Sequence, residues 1–376
     1  MKIKISIAII VVCFCTLFTF SVIAEETDRV LTSQLTSSSL ISRSLGGAGT
    51  AMPRGVMQGL INPALVYSYR SHLSERGVIA LGYDQDSLYE KIQLPLGMGF
   101  ATNEGAIGLF YRMNRGEAGQ IYEFTTNLSG RLSEQVDAQG PVEYGLNFKY
   151  QRMSWNEEMF TPPHNTSGNQ LSETNNFIDN DGRFILESEN HLRRLTMDLG
   201  FFQSNVTPNL DFSLVFRNLL GYEWKRTDAS YLEFSDTGMV NDSMSVDITG
   251  ESVQEDKKSR GWIESRQRTL VTGVAYKLNL MQGVEVTVPF DVEILGLFDR
   301  NTDIVYIFRG GLQGRLFSNY FVRFGFARAP EKISELTSSL KMDNLFFGGA
   351  GLYIDPMYFD FYMGQDEWGV TASFEF

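Results

Sequence analysis

Residues 142–151 read VEYGLNFKYQ, and along them Val142, Tyr144, Leu146, Phe148 and Tyr150 alternate with Glu143, Gly145, Asn147, Lys149 and Gln151. A period of two puts the apolar set on one face of an extended strand and the polar set on the other. The same alternation recurs in IYEFTTNLSGRL (121–132), where Tyr122, Phe124, Leu128 and Leu132 oppose Glu123, Thr125, Asn127, Ser129 and Arg131. It recurs again in VEVTVPFDVEI (284–294), where Val284, Val286, Val288, Phe290, Val292 and Ile294 oppose Glu285, Thr287, Asp291 and Glu293. Such strands suit a soluble sandwich and a membrane barrel equally, so the connections between them decide.

The pattern predicts fourteen strands, near 77–84, 88–101, 105–114, 120–132, 142–155, 192–203, 209–224, 266–278, 284–298, 303–316, 320–328, 344–354, 357–364 and 367–376. Connections after even-numbered strands are short, as in SNVTP (204–208), NLMQG (279–283) and FSN (317–319), with 133–141 the longest of them. The long ones, 156–191, 225–265 and 329–343, all follow odd-numbered strands. Long loops therefore leave from one end only, as in outer-membrane barrels with tight periplasmic turns. Trp155 and Trp224 fall at the outward ends of their strands, where an aromatic girdle sits. The expected fold is an all-β, 14-stranded antiparallel transmembrane β-barrel, residues 73–376. Closure pairs every backbone N–H and C=O, which the hydrocarbon layer requires.

The start of the chain agrees. Residues 1–26, MKIKISIAIIVVCFCTLFTFSVIAEE, combine two lysines, an apolar run and a small-residue exit at Ala24, the layout of a signal peptide spanning 1–24. No later run of about 18 apolar residues encodes a helical span. Cys13 and Cys15 are the chain's two cysteines and leave with the leader, so the remaining 352 of 376 residues hold no thiol, disulfide or cysteine metal site. Losing Lys2 and Lys4 moves the formal net charge from −13 to −15, which argues against a nucleic-acid partner. The last strand, WGVTASFEF, ends with Phe374 and Phe376 on its apolar face, resembling the C-terminal signal through which barrel assembly machinery inserts outer-membrane barrels. The expected location is the outer membrane of a Gram-negative-type bacterium, with outer-membrane lipid as surroundings.

Fourteen strands enclose a lumen too wide for the wall's own side chains to fill. Residues 25–72 do not alternate and contain LGGAGTAMPRGVMQGLINPALV, so they are expected to form a hatch inside the barrel. Pro63 excludes a helix interior or a central strand. Here the chain resembles the FadL-like superfamily of fourteen-stranded outer-membrane barrels, which includes the FadL/TodX hydrophobe transporters and the PorV-like proteins. The matching residues are Leu45, Gly46, Gly47 and Gly49 of a glycine-rich step, then Asn62, Pro63 and Ala64. The chain reads PRGVMQGL between the two steps, where the family usually carries an acidic residue with Ala or Ser. The match covers about twenty residues together with strand count and terminal aromatic. It implies uptake of long-chain fatty acids or other hydrophobes, with lateral release into the bilayer.

Two expectations about the passage follow. In NLFFGGAGLYI (344–354) and MYFDFYM (357–363) apolar residues lie on both parities, which suits an apolar lumen lined by Phe346, Tyr358 and Tyr362, or a wall packed on Leu60, Ile61, Leu65 and Val66 of the hatch. In LPLGMG, Pro95 removes a ladder donor and Gly97 and Gly99 weaken the strand, so a lateral opening is expected there. The competing function is a PorV-like barrel that binds exported proteins through its outward loops. An enzyme is not expected: His72, His164 and His191 are scattered, and no Gly-x-Ser-x-Gly or His-Glu-x-x-His element occurs. DNDG at 179–182 reads as a turn, because the twelfth position of an EF-hand loop would be Ser188. No metal and no cofactor are expected.

Overall fold

The computed structural model describes residues 40–45, 47–53, 55–69, 77–86, 91–102, 104–116, 119–132, 140–158, 184–232, 237–240, 243–246, 252–263, 268–295, 297–298, 304–317, 319–330, 342–364 and 367–376. The expected leader, Gly46, His72, His164 and the 179–182 turn lie outside them.

Alternation becomes strand throughout. The first seven strands are β1 (Gly77–Asp86), β2 (Lys91–Ala101), β3 (Gly105–Gly116), β4 (Gly119–Arg131), β5 (Val142–Glu158), β6 (Phe184–Thr207) and β7 (Leu210–Leu232). Between β7 and the next wall strand come a hairpin, β8 (Thr237–Val240) with β9 (Ser243–Val246), and β10 (Ser252–Trp262). The wall resumes with β11 (Thr269–Met281), β12 (Val284–Leu295), β13 (Val305–Leu316), β14 (Tyr320–Pro330), β15 (Met342–Ile354), β16 (Met357–Met363) and β17 (Glu367–Glu375). Each wall strand pairs antiparallel with the next, and β17 returns to β1 from Val78↔Glu375 to Asp86↔Glu367, closing a barrel of fourteen strands.

The phase of the alternation sets the faces. On β5, Glu143, Gly145 and Asn147 are buried toward the lumen while Phe148 and Tyr150 are exposed. Around the wall the outward face carries Leu81, Met98, Ile107, Phe124, Phe212, Leu312, Phe324, Phe361 and Val370, all exposed. A closed sheet with an apolar exterior is what hydrocarbon demands. No helix among the described residues is long and apolar enough to cross a membrane.

Two strands run further than their apolar pattern predicts. β6 starts at Phe184 and β7 continues to Leu232, so part of each expected long loop is sheet. β10 pairs with the outer part of β7, Trp262↔Tyr222 to Ser252↔Leu232. Beyond the bilayer an apolar face is no longer required, and backbone ladders with charged cross-strand pairs suffice. Where β7 changes neighbour from β10 to β11, its ladder with β6 is irregular. Three residues of β7 (217–219) lie between Leu199↔Phe216 and Met197↔Leu220, and Asn218 adopts φ +51° while its N–H donates to Asp198 at 2.8 Å.

The described residues between 40 and 69 lie inside the lumen toward the end with the short turns. They form the one-turn helix α1 (Leu40–Arg43), a 3-10 turn (Val56–Leu60) and a second short helix, α2 (Leu65–Ser68). Ile41, Leu45, Ala48, Ala51, Met52, Ala64 and Leu65 pack with Phe202 and Ala275 of the wall, while Val56, Met57, Val66 and Tyr67 pack with Val78, Ala80 and Phe110. The hatch is therefore the core of the barrel.

Candidate functional site: the seated hatch

The Asn-Pro-Ala step is locked to the wall by its own chemistry. Asn62 is fully buried and accepts the Ala64 N–H at 3.1 Å, an Asx-type turn that Pro63 favours. Its amide donates to the Thr50 carbonyl at 2.9 Å and to the Phe201 carbonyl of β6 at 3.2 Å. One side chain thus ties the two steps of the hatch to each other and to the barrel. The Pro63 carbonyl accepts from Asn127 at 3.0 Å, and Asn147 donates to the Gly59 carbonyl at 2.9 Å. Two wall glycines make room: a Cβ on Gly145 would stand 2.2 Å from the Pro63 carbonyl carbon, and one on Gly200 would stand 2.2 Å from Asn62 Oδ1. Ala64 is buried beside them.

The glycine-rich step docks on a carboxylate. Consecutive amides of Gly49 and Thr50 donate to the same oxygen of Asp291 at 2.9 and 3.0 Å, and Ser213 donates to the Thr50 hydroxyl at 2.8 Å. Gly49 adopts φ +134° and Gly47 φ +86°, both in the region that favours glycine. At Gly47 a Cβ would also collide with the Arg309 side chain at 2.7 Å. Leu45 is buried against Gly311. Asp291, Ser213 and Arg309 were not legible as hatch partners, since only their inward parity was visible.

The lumen wall is polar where the expected passage was apolar. Arg112–Glu123 (3.0 Å), Lys149–Asp198 (2.7 Å), Arg194–Glu223 (3.0 Å) and Glu293 between Arg217 (3.1 Å) and Arg309 (2.5 Å) are ion-paired on its inner face. Arg323 is buried, pairs with Asp360, and donates to Gln313 at 2.8 Å and Tyr358 at 2.5 Å. Of the three residues assigned to an apolar lumen, Tyr358 and Tyr362 face inward, Tyr362 fully buried. Phe346 faces outward, 67 % exposed and in ring contact with Phe326, and this corrects the expectation. Both parities of 345–354 are apolar or glycine, so alternation gives no phase there.

The expected lateral opening has a different geometry from the one anticipated. The β2–β3 ladder is continuous from Ile92↔Arg115 to Ala101↔Ala106. Gly97 and Gly99 face the hatch, where a Cβ would meet Met57 Sδ at 2.3 Å and Val56 Cγ2 at 2.5 Å, so their small size seats the hatch. Pro95 does interrupt pairing on the other side: the β1–β2 register passes from Leu81↔Leu96 to Asp84↔Gln93. Phe374 and Phe376 are exposed on the outward face of the closing strand. Trp224 is also outward and exposed, whereas only the backbone of Trp155 is described, in β5. His191 lies within β6, opposite Ser154 and Arg226.

No family model and no curated protein matches the chain. Solved structures do. The Pseudomonas putida toluene transporter TodX aligns over 91 % of this chain and 98 % of its own, with TM-score 0.57 at 10 % identity. The CymD monoaromatic hydrocarbon channel aligns over 89 % and 95 %, with TM-score 0.54 at 12 % identity. A Pseudomonas aeruginosa FadL homologue aligns over 90 % and 98 %, with TM-score 0.51 at 9 % identity. At these identities the likeness is one of architecture, and the chain has the fold of the FadL-like barrels, a closed fourteen-stranded wall around an N-terminal hatch.

Proposed function

We propose that this is an outer-membrane transport protein for hydrophobic small molecules, a plugged barrel that releases its solute sideways into the bilayer. The observation that carries the reading is the division of labour in the lumen. The wall offers ion pairs, while the hatch carries apolar side chains, Ile41, Met52, Val56, Met57, Leu65 and Val66, buried against the wall. An apolar solute needs an apolar lining with few polar anchors, so its path opens where movement of the hatch uncovers these side chains. Solved barrels of this architecture are named as a toluene transporter and a monoaromatic hydrocarbon channel, which supports the same solute class here. Fatty-acid-like molecules are the longer members of that class. The exit is the lapse in the β1–β2 ladder at Gly82–Tyr83 and Leu94–Pro95, where cross-strand pairing is interrupted beside the seated hatch. Barrel assembly machinery would recognise Phe374 and Phe376, and no enzymatic step is involved.

A second reading has one observation of its own. The extended sheet of β6, β7 and β10 gives an outward platform on which an exported protein could be held, as in PorV-like barrels. One experiment separates the two: protein extracted in mild detergent is analysed by native mass spectrometry, and cells are assayed for uptake of labelled toluene and oleate. The transport reading expects retained hydrophobe and uptake that depends on the protein. A stoichiometric polypeptide without either would replace it with the second.

A further inference from the structure

Outside the lumen, the outward face of β5, β6, β7 and β10 carries a row of charge just beyond its apolar residues. Register aligns Tyr150, Leu195, Tyr222 and Trp262 as lateral neighbours on β5, β6, β7 and β10, all on the outward face, with Trp262 71 % exposed. The next outward-facing row is Arg152, Arg193, Trp224 and Arg260. All three arginines are exposed. Arg152 and Arg193 are directly opposite each other, which holds their Cβ atoms about 5 Å apart, and like charges in that position destabilise a sheet. None of the three forms an ion pair with a described residue. Two outward rows further along, Asp228 and Asp256 are already engaged: Asp228 with Arg226 at 3.2 Å, and Asp256 with Arg226 at 3.2 Å and Lys258 at 2.7 Å. Among the described residues the row therefore has positive charge without a counter-charge.

Its height explains what supplies one. Val142 begins β5 at the short-turn end, and Arg152 lies ten residues along. At about 3.3 Å per residue and a tilt of about 40°, that is roughly 25 Å along the barrel axis. The apolar band of such barrels is about 25 Å tall. Arg152 and its neighbours thus sit where acyl chains give way to headgroups on the long-loop side, just above an aromatic row suited to that boundary.

We propose that Arg152, Arg193 and Arg260, with Trp224 between the last two, form an outer-leaflet site for a phosphorylated lipid headgroup. Guanidinium forks take phosphate oxygens bidentately, and a phosphate between Arg152 and Arg193 relieves their repulsion. The acyl chains of the same lipid lie down the wall over Tyr150, Leu195 and Trp262. The inference depends on the barrel spanning the membrane with its long connections outward, and not on what passes through it.

Binding of diphosphoryl lipid A to the detergent-purified full chain, measured by native mass spectrometry, tests it. Saturable binding is expected, weakened at least tenfold by Arg152→Gln with Arg193→Gln, weakened by added salt, and absent for the phosphate-free lipid. Unheated gel mobility reports whether the variant is folded. Should it not fold, Arg260→Gln and the lipid comparison on the parent protein decide. Equal binding by the folded variant, equal binding of the phosphate-free lipid, or full displacement by millimolar inorganic phosphate would each overturn the proposal. The last would mark a free-anion site instead.

Discussion

Replacing Asn62 with Ala removes the side chain that joins both hatch steps to the wall. Three hydrogen bonds are lost, to the Thr50 and Phe201 carbonyls and from the Ala64 N–H, all at a fully buried position. Each contributes about 0.5–1.5 kcal/mol net, and a buried group left unpaired costs more, so roughly 3 kcal/mol of seating energy is at stake. The wall keeps its own backbone ladders, so the loss falls on the hatch and not on the barrel. At about 1.4 kcal/mol per factor of ten, the fraction of barrels with a displaced hatch rises roughly a hundredfold. Single-channel recording in planar bilayers reads this as frequent openings to small ions in Asn62→Ala and rare ones in the parent. Hydrogen exchange gives an independent measure, with faster exchange at 47–66 and unchanged exchange in β11–β14. A variant that stays as closed as the parent, with hatch amides equally protected, would refute the claim that Asn62 holds the plug.

Gly145→Val places side-chain atoms inside the Pro63 carbonyl and should cost at least about 3 kcal/mol of hatch seating, whereas Gly261→Ala meets nothing within 4 Å and should leave thermal stability unchanged. Comparing the two by the temperature at which the folded gel band disappears checks the steric account. Asp360→Ala strands the buried Arg323 charge and should destabilise the barrel by about 3–5 kcal/mol, while Arg323→Met with Asp360→Leu recovers most of the loss. Denaturant unfolding followed by tryptophan fluorescence measures both.

Much of this structure was readable because lipid enforces a strict rule. Wherever one parity was apolar and the other polar, as in 142–151 and 284–294, the inward and outward faces followed directly, and Glu143, Asn147 and Asp291 point into the lumen as their parity requires. Loop asymmetry then separated a barrel from a sandwich. Phase was lost where both parities are apolar, and Phe346 was misplaced for that reason. The late strands take their phase from Arg323 and Asp360, buried together across β14 and β16, and from Ser44 of the hatch beneath Gly349. The glycines of β2 looked like weaknesses in a ladder because the residues that fill the space, Val56 and Met57, lie some forty positions earlier in the chain. The Asp291 contact joins residues 242 apart, a pairing no local pattern encodes. The outward extension of β6 and β7 went unread because strands beyond the bilayer need no alternation.

Transport through a plugged barrel requires the plug to move, and the structure offers a way to stop it. An ideal Cβ on Gly99 lies 3.6 Å from Cβ of Val56, within the range of natural disulfides, and the chain's two cysteines fall in its first fifteen residues. Uptake of a labelled hydrophobe by cells carrying Val56→Cys with Gly99→Cys is the most direct measurement. Uptake is expected to cease when the pair is oxidised and to return on reduction, whereas undiminished uptake by the fully oxidised protein would contradict movement of the hatch as the transport step.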